Sequence, residues 1–219
     1  MKTRFRRLMH HIPLISNSTK LAISSMILGF AFFLFVFKVD SSAEKSVVAS
    51  GICVIAMFFS FLGDLFLNYF PIHRRPTWMF YTGALAFMLA HLSYATAYYQ
   101  LIMEGNKAFL NPGAILATIS LILLVSITVF VAIQNKVNVK SMTILVFSLY
   151  TMVIGINFVT IASHSWNFAS MSFIGATSFL ISDFIIGIET VFKIKSRTLR
   201  KLVWIFYPLG QILIIACCH

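Results

Sequence analysis

The stretch Ser60-Phe-Leu-Gly-Asp64-Leu-Phe-Leu-Asn68 closes an apolar run, Val47–Phe70, and sets one carboxyl group inside it. The same arrangement recurs at Gly175-Ala-Thr-Ser-Phe-Leu-Ile-Ser182-Asp183, within Phe168–Phe192. Runs of about 20 apolar residues match the thickness of a bilayer core. A carboxyl inside such a run is costly, so a chain that keeps two of them uses them. Acidic residues are otherwise scarce: Asp40, Glu44, Glu104 and Glu189 complete the set of six.

Composition agrees with that reading. The chain is 59% hydrophobic and 11% charged over 219 residues, with a mean hydropathy of +0.91. Soluble domains carry about 25% charged residues. The expected fold is all-α, a polytopic transmembrane helix bundle. Segments are drawn at roughly 20–38, 46–69, 77–102, 112–134, 141–163, 168–192 and 200–217, which makes about seven helices. Residues 1–19 read as a basic cytoplasmic arm, lying along the membrane surface, and 20–219 as a single transmembrane domain. No small-residue cleavage pattern marks the arm as a cleaved signal.

The net charge of +11 is distributed by side. Lys2, Arg4, Arg6, Arg7, Lys20, Arg74, Arg75, Lys136, Lys140, Lys193, Lys195, Arg197, Arg200 and Lys201 fall on one side of the drawn bundle. Only Lys38, Lys45 and Lys107 fall on the other. The positive-inside rule makes the first side cytoplasmic, with the C-terminus opposite. The excess therefore sets topology and meets the lipid bilayer's anionic headgroups, and nucleic acid is not implied. The expected location is a multi-pass protein of a bacterial inner membrane.

Helical spacing sorts the polar residues into stripes. Ser60, Asp64 and Asn68 follow i, i+4, i+8. Trp204, Tyr207 and Gln211 follow i, i+3, i+7. On the third segment Gly83, Phe87, His91, Tyr94 and Tyr98 share a face, and on the fifth Tyr150 and Asn157 align. At a rise of about 1.5 Å per residue, Asp64 lies roughly 9 Å and Asp183 roughly 14 Å from the cytoplasmic edge. Tyr207 and Gln211 share that depth, so one cavity in the cytoplasmic half is expected. Asn111-Pro112 opens the fourth helix, whose apolar surface reads as lipid-facing scaffold. Gly63, Gly83 and Gly175 read as sites of close helix packing. Glu189, beside the basic cluster, reads as a surface ion pair. Cys53, Cys217 and Cys218 form no disulfide framework or metal motif. No histidine-rich metal signature and no Gly-x-Ser-x-Gly elbow is present.

Phe59-Ser-Phe-Leu-Gly-Asp64, followed by Gly83-Ala-Leu-Ala-Phe-Met-Leu-Ala-His91-Leu-Ser-Tyr94, resembles the YhhN family of membrane lysoplasmalogenases. So does Gly175 through Ser182-Asp183, with Tyr207-Pro-Leu-Gly-Gln211 after it. The similarity runs over roughly residues 20 to 215. Family members often show eight helices, where seven are drawn here. A Lys-Pro that often opens the second family helix is Lys20-Leu21 in this chain. The resemblance implies a lysophospholipid substrate. Its vinyl ether bond would be cleaved to a fatty aldehyde and glycerophosphocholine or glycerophosphoethanolamine, with no cofactor. Protonation of the alkene carbon and stabilisation of the resulting cation suit two carboxyls in different environments. Desolvation favours the neutral form of a carboxyl, so the deeper Asp183 is read as the acid and Asp64 as the carboxylate, roles that can be exchanged. Tyr207, Gln211, His91, Ser60, Asn68, Asn157 and Ser182 are candidate orienting or substrate-binding residues, and Lys20, Arg74 and Arg75 candidate phosphate ligands. A small transporter, a lipid-binding protein or a hydrolase of another lysolipid remains an alternative.

Overall fold

A computed structural model of the chain describes residues 16–40, 44–68, 77–134, 141–165, 170–192, 194 and 196–218. Among them are seven helices: α1 (Asn17–Asp40), α2 (Glu44–Asn68), α3 (Thr77–Glu104), α4 (Pro112–Gln134), α5 (Ser141–His164), α6 (Met171–Val191) and α7 (Arg197–Cys218). Every expected segment is present, with its ends within about three residues of those drawn. The main shift is at the start. Helix α1 begins at Asn17, so the last residues of the expected arm are already helical. The rest of the arm lies outside the described residues.

Six of the helices are long and apolar enough to cross a membrane. The exception, α3, is the longest at 28 residues. Its hydropathy is lowered by the groups that make it central: His91, Tyr94 and Tyr98 are almost wholly buried on one face. It packs most extensively on α2 and also on α5, while α7 packs on α6 and touches α1, α2 and α3. Among the described residues helix α4 packs only on α5, and it presents Ile119, Ile122, Leu123, Ile127 and Phe130 outward, as its lipid-facing reading required.

Apolar matching drives no association between helices in lipid, so small residues and hydrogen bonds must do it. A Cβ on Gly63 would meet the Phe87 ring at 2.6 Å, and one on Gly83 would meet Leu67 at 2.8 Å. These two glycines let α2 and α3 approach. Gly175 and Gly210 do the same for α6 and α7, each lying against the other's carbonyl oxygen. Hydroxyls mark the remaining contacts by how they are satisfied. Thr82, Ser93, Thr96, Thr118, Thr151 and Thr177 each donate to the carbonyl four residues back on their own helix. Tyr98 instead crosses to the Ile214 carbonyl of α7 at 2.8 Å, and Ser50 crosses to Cys218 O at 3.3 Å.

The end of the bundle away from the basic connections is tied in two ways. Asn111 caps α4 by accepting from Ala114 N at 3.1 Å, and its amide donates to Ser163 O at 2.6 Å. Cys53 and Cys218 are joined as a disulfide across 165 residues of sequence, with Cα atoms 6.8 Å apart. This corrects the expectation that the three cysteines form no disulfide. Their spacing carries no bridge pattern, and only the packing of α7 on α2 brings them together. Cys217 is free.

Candidate functional site

At the opposite, basic end the helix termini diverge around a cavity of about 200 Å³. Every helix but α4 contributes to it. Asp64 and Asn68 come from α2, Phe80 and Phe87 from α3, Tyr150 from α5, Asp183 and Glu189 from α6, and Arg200, Trp204 and Tyr207 from α7, with Lys20 from α1. Both aspartates thus line one cavity in the half of the bundle nearer the basic connections.

Asp64 is 4% exposed and is surrounded by donors. Ser24 of α1 donates to its Oδ2 at 2.5 Å. Tyr207 of α7 donates to the same oxygen at 2.6 Å. Asn68 Nδ2, one turn on, reaches Oδ1 at 3.4 Å and the Asp64 carbonyl at 3.0 Å. Lys20 lies within electrostatic reach, its Nζ standing 5.1 Å from the Trp204 ring centre. Donors from α1, α2 and α7 thus converge on one carboxyl group. The Tyr207 ring is itself held by the Phe87, Phe179 and Trp204 rings at 5.4–6.1 Å. Pro208, within α7, removes the hydrogen bond that its N–H would have made to the Trp204 carbonyl.

Asp183 has a different set of neighbours. His91 Nε2 is 3.2 Å from its Oδ2, and the Tyr150 hydroxyl lies within electrostatic reach of it. Asn157 Nδ2 donates to His91 Nδ1 at 3.0 Å. With Nδ1 accepting, the neutral ring carries its proton on Nε2 and donates it to Asp183. The imidazole is clamped between Phe179, at 4.7 Å, and the edge of Tyr150, at 6.0 Å.

The remaining expected residues divide by position. Lys20, Asn68 and Tyr207 line the cavity with the two aspartates. His91 and Asn157 stand behind Asp183 and do not line it. Gln211 lies deeper still: its Oε1 accepts from the Tyr94 hydroxyl at 2.8 Å, and Ser60 is fully buried beside the same hydroxyl. Ser182 donates to Phe179 O on its own helix at 2.8 Å. Gln211, Ser60 and Ser182 do not line the cavity: Gln211 and Ser60 lie one turn further along the stripes of Tyr207 and Asp64, and Ser182 is buried on α6. Arg74 and Arg75 lie outside the described residues.

Three groups at the site escaped the sequence reading: Tyr150 and Glu189 line the cavity, and Ser24 stands behind Asp64. Ser24 is four residues from Lys20 on one stripe of α1, which was the available signal. Tyr150 was aligned with Asn157 but given no site. Glu189 was assigned to the surface, yet it lines the cavity mouth, where its Oε1 accepts from Ser196 N at 3.3 Å.

No curated protein and no solved structure matches the chain. The model of the YhhN family matches residues 19–218, which takes in all seven helices and every described cavity residue. The chain therefore belongs to the YhhN family.

Proposed function

We propose that the protein hydrolyses the vinyl ether bond of lysoplasmalogens, releasing a fatty aldehyde and a glycerophosphodiester. The observation that supports this most is the pair of aspartates from different helices on one membrane cavity, held in unlike hydrogen-bonding environments. Separate environments for two carboxyls are how one acid and one carboxylate coexist at the same pH.

In the proposed reaction, protonated Asp183 transfers its proton to the alkene carbon distal to the ether oxygen. The double bond's electrons form the new C–H bond, leaving an oxocarbenium ion. Asp64, held by Ser24, Tyr207 and Asn68, stabilises that cation and takes a proton from the water that adds to it. As the hemiacetal's bond to the glycerol oxygen breaks, Asp64 passes the water proton to that leaving oxygen, the hemiacetal hydroxyl gives its proton to Asp183, which restores the acid, and the aldehyde is released. His91, fixed by Asn157, keeps Asp183 oriented between turnovers. A drug-sized ligand site usually spans about 300–1,000 Å³. The smaller cavity here suits the glycerol and the vinyl ether, with the alkyl chain running out along the helices into lipid.

The test is aldehyde release from a lysoplasmalogen by the purified protein, with Asp64→Asn and Asp183→Asn alongside. Wild-type turnover in D2O should place one deuterium on the carbon next to the aldehyde, and both variants should be inactive while still folded. Release of fatty acid, or no product from folded wild type, would remove this substrate. Normal turnover by Asp183→Asn with an inactive Asp64→Asn would exchange the two roles.

A further inference from the structure

The mouth of the cavity carries a charge pattern that the reaction does not use. Glu189 and Arg200 line it from opposite sides of the α6–α7 turn, and Lys20 lines it from α1. The α6–α7 turn fixes the first of these. Ser196 N donates to Glu189 Oε1 at 3.3 Å. The Ser196 hydroxyl accepts from Leu199 N at 3.3 Å, and its carbonyl accepts from Arg200 N at 3.2 Å. Ser196 thus holds the Glu189 carboxylate and caps α7, the helix that carries Arg200.

Position gives the pattern a meaning. Glu189 lies six residues beyond Asp183 on α6, roughly 9 Å toward the basic end at the helical rise. Arg200 lies seven residues before Tyr207 on α7, roughly 10 Å toward the same end. That interval compares with the distance in a lysolipid from its sn-1 oxygen to its phosphate and amine. Two cations would suit a phosphate, and the carboxylate beside them would repel a headgroup that is only anionic.

We propose that Lys20, Arg200 and Glu189 form a subsite for a zwitterionic phosphodiester headgroup: the two cations hold the phosphate and the Glu189 carboxylate holds the ammonium group. The assignment rests on the lysolipid reading above. It adds selectivity by repulsion, because Glu189 penalises a phosphoglycerol headgroup while it attracts a choline or ethanolamine one.

The experiment measures equilibrium binding to the full-length protein in neutral detergent. The probes are two uncleavable 1-O-alkyl lysolipids of equal chain length, one with a phosphocholine and one with a phosphoglycerol headgroup. Wild type should favour phosphocholine by about tenfold. Glu189→Gln retains an acceptor for Ser196 N and should bring the two affinities within about twofold. Arg200→Gln should weaken both by about tenfold. Glu189→Lys should invert the preference, an outcome that loss of fold cannot produce. An unchanged ratio in Glu189→Gln overturns the subsite. Glycerophosphocholine should compete weakly; competition at the lysolipid's own affinity would assign the subsite to a soluble phosphodiester and overturn the lipid headgroup. Since neither probe is cleaved, the ratio is read independently of turnover. A preserved headgroup effect without aldehyde release would remove the vinyl ether reaction and leave the subsite standing.

Discussion

Two hydroxyls meet on Asp64 Oδ2, one from Ser24 and one from Tyr207, and the hydroxyls elsewhere show why this matters. A serine or threonine in an apolar helix has a ready acceptor in the carbonyl one turn back, and most here take it. Ser24 reaches another helix instead. Tyr207→Phe removes one of the two donors and leaves the ring packing intact. Hydrogen bonds to charged groups contribute about 1.5–3 kcal/mol, so turnover should fall roughly 10–100-fold with little change in thermal unfolding. A measured rate within a factor of about two of wild type would remove Tyr207 from the machinery. His91 and Asn157 act in series on Asp183, so their effects should not add. In a double-mutant cycle, His91→Ala and Asn157→Ala should show a coupling of about 0.5–3 kcal/mol in activation free energy. Independent effects would mean that Asn157 does not work through the imidazole.

Helix pairing explains how these residues come to meet. The α6–α7 pair is set by Gly175 and Gly210, where a methyl group on Gly210 would press on Phe179 N and Gly175 O at 2.8–2.9 Å. Backbone atoms cannot step aside as a flexible side chain can. Gly210→Ala should therefore lower stability by about 1–3 kcal/mol and displace Tyr207 three residues earlier. Gly29 is the control, with nothing within 4 Å of its added Cβ. Gly29→Ala should be neutral or stabilise α1 by up to about 1 kcal/mol. Thermal unfolding in detergent compares the two, and equal midpoints would contradict this account of the pairing. The small-residue positions Gly63, Gly83 and Gly175 were legible in the sequence as packing sites. Gly210 was not, since nothing in its own neighbourhood announces that another backbone lies against it.

At the scale of the whole molecule the chain has two unlike ends. One gathers the cavity, its two carboxyls and the basic connections. The other is closed by Asn111, the Tyr98 contact and the Cys53–Cys218 bridge. Topology follows from the charge asymmetry and has a direct test in cells. In a Cys217→Ser background, which removes the free native thiol, Ala108→Cys, in the α3–α4 connection, should react with a membrane-impermeant thiol reagent added outside. Ile194→Cys, between α6 and α7, should react only after permeabilisation. The reverse pattern would put the cavity on the outer face. A bridge at the closed end suits an oxidising compartment, which agrees with that orientation.

The number of helices, their ends, the sided charge and the helices that carry acid were all legible from residue order, because each depends on about 20 neighbouring residues and their transfer into lipid. The stripes of α2, α3 and α7 were legible for the same reason: helical periodicity is local. Which members of a stripe reach the cavity was not. Gln211 and Tyr207 share a face of α7, yet one packs on Tyr94 and the other lines the site with Asp64, 143 residues away in sequence. Ser24 at Asp64, Tyr150 at Asp183, Glu189 at the cavity mouth and Cys53 against Cys218 have the same origin. They depend on how far each helix is rotated and how closely it approaches its partner. Those quantities are set by small residues and buried hydrogen bonds between segments distant in the chain, and no local pattern encodes them.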